Sequence, residues 1–110
     1  MNIRLSEKKC VACEGGVPPL TREQVAVFSL QIKEWNIAAD MRSISRAFVF
    51  KNFKEALAFV NRIGALAEEE GHHPDINLFD YKKVIITLST HAIGGLSEND
   101  FIVAAKIDNI

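Results

Sequence analysis

The stretch 52–74 constrains this chain more than any other. Asn52, with Glu55 three residues on, can cap a helix start, and Phe53, Leu57, Val60, Ile63, Leu66 and Ala67 then recur at helical spacing over several turns. Gly71 accepts the left-handed conformation that closes many helices, and Pro74 disfavours a helical His73. The spacing predicts a long amphipathic helix that stops at Gly71 and releases the chain extended. A helix with an apolar stripe buries it against another layer, so the rest of the chain has to supply one.

That layer reads as a sheet. Ile44, Arg46, Phe48 and Phe50 alternate with Ser45, Ala47, Val49 and Lys51, which fits two strands within 35–51 joined near Arg42 and Ser43. Residues 75–81 and 84–90 are both strand-like, and the short Lys82-Lys83 connection predicts an antiparallel hairpin. Before them, Thr21 and Gln24 form a capping-box pattern, and Val25, Phe28, Ile32 and Trp35 continue at helical spacing. After them, Gly94 and Gly95 break the pattern. Ser97 then caps a last helix, with Asp100 three residues in. Phe101, Ile102, Val103, Ala105, Ile107 and Ile110 make that helix apolar on more than one side, so it calls for more than one neighbour.

The expected fold is α+β: a two-layer, four-stranded antiparallel sheet with three helices on one face, in the order α-β-β-α-β-β-α. At 110 residues with 48% hydrophobic content the chain suits one domain, over 21–110, preceded by a turn-rich tail over 1–20. A formal charge of -1 argues against nucleic acid or an anionic membrane as a direct ligand. No apolar run approaches the roughly 20 residues needed to cross a bilayer, and residues 1–9 lack a secretion-signal stretch, so a cytoplasmic location is expected. Cys10 and Cys13 are too few for a disulfide framework. With no second Cys or His pair near them, a metal there is not expected.

All three histidines, His72, His73 and His91, fall within a window of 20 residues whose ends a hairpin would fold together. Alternation puts His91 with Ser89 and Thr87 on the more polar strand face. His72 follows a helix C-terminus amid Glu68, Glu69, Glu70 and Asp75, surroundings that favour a cationic ring and the role of proton donor. Singly, each has an ordinary reading: a solvated cap for His72-His73, a surface residue for His91, a first-turn acid for Asp100, a solvated face for Glu68 to Glu70. An acid at a helix C-terminus is electrostatically unfavourable, which turns Glu68 toward function. Three histidines with nearby carboxylates leave a metal site as a further reading.

Their common register carries more. Glu68, three residues, His72-His73-Pro74, six residues, Tyr81, nine residues, His91, eight residues and Asp100 resembles the signature of the pterin-4a-carbinolamine dehydratases. The likeness extends to the strand 84–90, the turn 95–98 and Trp35-Asn36, and covers most of the chain after Pro19. The resemblance implies a 4a-hydroxytetrahydrobiopterin-like substrate, the product left by an aromatic amino acid hydroxylase, which loses water to give the quinonoid dihydropterin.

The pterin is then the substrate; neither a metal nor a redox cofactor is implied. Carried over, His72 and His91 would be the acid–base pair and His73 would orient the ring, with Pro74 fixing the turn. Asp100, at the family's acidic position, would join the catalytic set, Glu68 and Pro74 would help bind the substrate with His73, and Trp35 would line or stack on the ring. The extra apolar side of the last helix, together with the resemblance, implies a homo-oligomer, a dimer or a tetramer made of two dimers whose helices pack together. An alternative from another class is an interaction protein on the same fold, as animal family members are toward a homeodomain transcription factor. One departure is the single tryptophan: Ile76 and Phe79 occupy the strand where some members carry a second. The longer spacing before Tyr81 leads us to expect a bulge in that strand.

Overall fold

Residues 4–11 and 17–110 are described by a computed structural model. Cys13 lies outside the described residues, and with it any pairing to Cys10. The chain runs α1 (Arg22–Ser29), β1 (Asn36–Ile37), β2 (Ile44–Val49), α2 (Phe53–Glu70), β3 (Asp75–Phe79), β4 (Lys83–Leu88) and α3 (Glu98–Asp108), with 3-10 turns at Leu5–Glu7 and His91–Ile93. The strands form one antiparallel sheet in the order β1-β2-β4-β3. On β4 the alternation is clean. Val84, Ile86 and Leu88 face the helices and are fully buried, whereas Lys83, Ile85 and Thr87 are only partly covered. The α+β architecture and element order are those the sequence implies.

The long helix starts and stops where its signals place it. The Glu55 N–H donates to Asn52 Oδ1 at 2.9 Å, and Gly71 closes the helix at φ 68° with its N–H on Ala67 O. Its buried line is Ala56, Ile63, Ala67 and Glu70, so the apolar stripe is wider than the buried face and Phe53 and Leu57 are left half-exposed on its flank. The first helix is shorter than its periodicity. It ends at Ser29, and i→i+3 bonds from Leu30, Gln31, Ile32 and Trp35 then wind the chain in tight turns. Those turns keep the three-residue spacing, which is why Ile32 and Trp35 are buried without being helical.

No bulge interrupts β3. Its register with β4 is unbroken from Asp75↔Thr87 to Phe79↔Lys83, and the added length sits in the turn, where Asp80 and Tyr81 are both left-handed. Near the other end of the chain, α3 is buried from Asn99 to Ala105 and again at Ile107. It meets α1, α2 and the turn Leu5–Glu7, so its several apolar sides find their neighbours within one chain and do not by themselves call for a second copy. Leu5 is buried in the core and its N–H donates to Gln31 Oε1, while Lys8 pairs with Glu98. Pro19 packs so closely on Gly95 that a Cβ there would lie 2.8 Å from the proline ring, too close for any residue but glycine without a shift.

Candidate active site

The ends of three elements, α2, β4 and α3, meet at one edge of the molecule. Gly71 turns the chain out of α2 and sets down His72 and His73, after which Pro74 holds the backbone extended into β3. On the neighbouring strand, β4 ends at Leu88, and Ser89 and Thr90 lead into the 3-10 turn His91–Ile93. His91 thus lies just beyond the strand rather than in it. Gly94, at φ 66°, and a bridge between Thr90 and Gly95 return the chain to Ser97 and the start of α3. The convergence leaves a cleft of about 330 Å³ lined by His72, His73 and His91, with Ser89 and Thr90 between them. That volume is in the range of small-ligand sites.

Asp100 organises the cleft from beneath. Its side chain is fully buried, yet both oxygens are satisfied: Oδ1 accepts from His72 Nε2 at 2.6 Å, and Oδ2 accepts from Thr90 Oγ1 at 2.8 Å and from the Ser97 N–H at 3.0 Å. Thr90 has one hydroxyl proton and gives it to the carboxylate, so Ser97 is the donor across the 2.7 Å contact between the two hydroxyls. The helix N-terminus favours the negative charge as well. Asp100 is therefore both a first-turn acid of α3 and the partner that fixes His72; the two readings of this residue describe one arrangement. With Nε2 held, Nδ1 is the ring atom of His72 left to meet a ligand.

His73 Nε2 bonds Glu68 Oε2 one turn back on α2, with both side chains largely in solvent. Such a solvent-exposed pair contributes little stability. The His91 ring is exposed and makes no hydrogen bond among the described residues. Pro74 is half-buried and shapes the chain's exit rather than lining the cleft.

Two residues singled out in the sequence are not brought here. Trp35 is a core residue whose Nε1–H donates to Asp108 Oδ1 at 2.8 Å, at the far end of α3, so within one chain it does not line the cleft. Tyr81 sits half-exposed on the β3–β4 turn, with the Lys82 ammonium above its ring, at the opposite end of β3 from His72 and His73. A larger groove of about 450 Å³ lies between α2, β2 and the end of α3, among Phe48, Phe59, Arg46 and Arg62, and contains no histidine.

Sequence reasoning missed a second set of residues. Glu70, read there as part of a solvated face, is buried: Oε1 accepts the Cys10 N–H at 3.0 Å and Oε2 accepts Lys106 Nζ at 2.9 Å. Burial pushes its carboxyl up, but the Cys10 N–H and the Lys106 ammonium outweigh this and hold it below the ordinary carboxylate range. The Cys10 thiol is pushed up to about 12, first by burial and then by the adjacent Glu70 charge, so it stays protonated and unreactive at neutral pH. Asn99 accepts the Val11 N–H at 3.0 Å and donates to Val11 O at 2.6 Å, pinning this segment as one wall of the cleft. The available signal was the acid at a helix C-terminus, which applies to Glu70 as much as to Glu68.

Among the described residues, no group of three or more His, Cys, Asp or Glu is placed to hold a metal, and no helix is long and apolar enough to cross a membrane. The profile of a family described as "Pterin 4 alpha carbinolamine dehydratase" matches residues 18–110. A Rubrobacter xylanophilus protein provisionally named a pterin-4-alpha-carbinolamine dehydratase is 50% identical over 106 residues, 96% of this chain and 97% of its own length. An Alkaliphilus metalliredigens protein with the same provisional name is 52% identical over 105 residues, covering 94% of this chain and 93% of its own.

Among solved structures, a Brucella melitensis protein described as a transcriptional coactivator/pterin dehydratase superposes with TM-score 0.76 at 30% identity, over 83% of this chain and 96% of that one. A protein described as pterin dehydratase-like and as a RuBisCO assembly factor in the alpha-carboxysome gives TM-score 0.59 at 30% identity, over 69% of this chain and 87% of that one.

Proposed function

This chain belongs to the pterin-4a-carbinolamine dehydratase family, and from that premise we propose that it is an enzyme removing water from a 4a-hydroxytetrahydropterin. The observation that carries the reading is that His72, His73 and His91, drawn from two separate elements, line one cleft of ring-accommodating size. The reaction breaks the C4a–O bond and the N5–H bond. The N–H electron pair becomes the second bond of C4a=N5, and hydroxide leaves as water once protonated. His72, held through Nε2 by the buried Asp100 carboxylate, donates to the departing hydroxide. His91, exposed and without a side-chain hydrogen bond among the described residues, takes the N5 proton and passes it to water. His73, paired with Glu68, positions the ring.

We further propose that no cofactor takes part, that the chain works in the cytoplasm as a dimer or tetramer, and that its substrate comes from an aromatic amino acid hydroxylase. Stopped-flow mixing with freshly generated carbinolamine tests the core of this reading. Chelator-treated protein is expected to speed appearance of the quinonoid product in proportion to its concentration. No acceleration refutes the dehydratase assignment, and acceleration that returns only with added metal refutes the metal-free chemistry.

A second reading has support in what two similar structures are described as, a transcriptional coactivator and an assembly factor: the fold could serve protein binding. The intact histidine cleft speaks against binding as the only role.

A further inference from the structure

We propose that the cleft selects pterins whose ring substituent ends in an anionic group, and that Arg42 is the residue that reads that group. This rests on the dehydratase reading of the same cleft and adds the class of its substrate.

The cleft has two parts that share a boundary. All three histidines line the first, which is where a ring needing both proton-transfer groups has to sit. A second recess, of about 270 Å³, shares Ser89, Thr90 and His91 with the first but contains no other histidine. Its remaining walls are Arg42 and Ser43 from the β1–β2 turn and the backbone of Gly94 and Gly95. On the first part's side Val11 forms a wall, fixed by both of its backbone bonds to Asn99. A ring held beside His91 therefore has adjoining space for a substituent toward Arg42.

Arg42 is the permanently charged side chain among those lining the second recess, and no carboxylate lines either part; the buried Asp100 lies behind Thr90, which donates to it at 2.8 Å. Among the described residues its guanidinium makes no ion pair and no hydrogen bond, although the other arginine of this sheet, Arg46, is paired with Asp108. The nearby acid, Asp40, is engaged with the Arg42 backbone N–H at 3.0 Å. The turn that presents Arg42 is braced: Met41 is left-handed at φ 63° and packs on the core, with its N–H on Ala38 O, and the Ala38 N–H reaches Ser43 O. A guanidinium that is exposed on a braced turn and unpaired among the described residues, at the mouth of a recess with no acid in its lining, matches a carboxylate or a phosphate, which it can bind through two parallel N–H bonds.

The test compares kcat/KM for three freshly generated carbinolamines: one with a methyl substituent, one whose substituent ends in a carboxylate, and one ending in a phosphate ester. Wild-type protein is expected to favour an anionic substrate, and Arg42→Gln to lower the anionic-to-neutral ratio about tenfold, with Arg42→Lys retaining part of it. Added salt should lower the wild-type ratio in the same direction. A fall confined to the carboxylate substrate or to the phosphate substrate identifies which anion the recess takes. An unchanged ratio in Arg42→Gln, or a wild-type preference for the neutral substrate, overturns the proposal while leaving the dehydratase reading in place. Failure of wild-type protein to accelerate any of the three overturns both.

Discussion

His91→Ala is expected to lower kcat for carbinolamine dehydration by about 10²–10⁴-fold, the usual contribution of one positioned proton-transfer group, with the melting temperature essentially unchanged. The second half of that expectation follows from the site. The His91 ring is exposed and makes no hydrogen bond among the described residues, so its loss orphans no buried partner. Stopped-flow kinetics and a thermal melt on the same preparation check both halves. A variant that dehydrates at the wild-type rate removes His91 from the chemistry. One that unfolds makes it a structural residue instead.

Asp100→Ala has the largest expected cost to the fold. Three donors, His72 Nε2, Thr90 Oγ1 and the Ser97 N–H, lose their common acceptor in a fully buried place, and the N-terminus of α3 loses its acid. We expect a loss of about 2–5 kcal/mol in unfolding free energy and a fall in Tm of at least ~10 °C. Asp100→Asn keeps the shape and separates the two roles. It should recover most of the stability, because an amide oxygen can still accept from Thr90 and Ser97, yet leave kcat low, because the second carboxylate oxygen that accepts from His72 Nε2 and fixes its ring is gone. Denaturant melts with parallel rate measurements decide this. An Asn variant with full activity would make Asp100 a helix cap and nothing more.

What could be read in the sequence was read where local chemistry and tertiary demand agree. Asn52 and Gly71 bound α2 because a capping carboxamide and a left-handed glycine act on their own few residues, whatever the rest of the chain does. The β4 alternation survives for a similar reason, since one face of a half-covered sheet is always apolar.

The readings that failed depended on what lies across space. Ile32 and Trp35 keep helical spacing because successive i→i+3 turns preserve it, so periodicity alone extends α1 past its end at Ser29. Trp35 has the chemistry of a ring-stacking wall, but its N–H found Asp108, and no local signal announces a partner 73 residues away. Glu70 looked solvated beside Glu68 and Glu69 for want of any way to see Cys10 and Lys106.

The histidine cleft itself is a mixed case. Register pointed to His72, His73, His91 and Asp100 together, and the structure brings those four to one place. The wall made by Val11 and the hold that Asn99 keeps on it were invisible, since the N-terminal stretch carries no periodicity of its own. The residues that act through bonds along the chain were legible; those that act by closing space around them were not.

The central claim is that three imidazoles serve one ring-sized cavity, and NMR of the histidine rings tests it most directly. Adding 7,8-dihydrobiopterin, which has no water to lose, to protein with isotope-labelled histidine should shift the ring resonances of His72, His73 and His91 along one common saturation curve. Shifts at only one of the three, or at rings that saturate separately, would contradict a shared site.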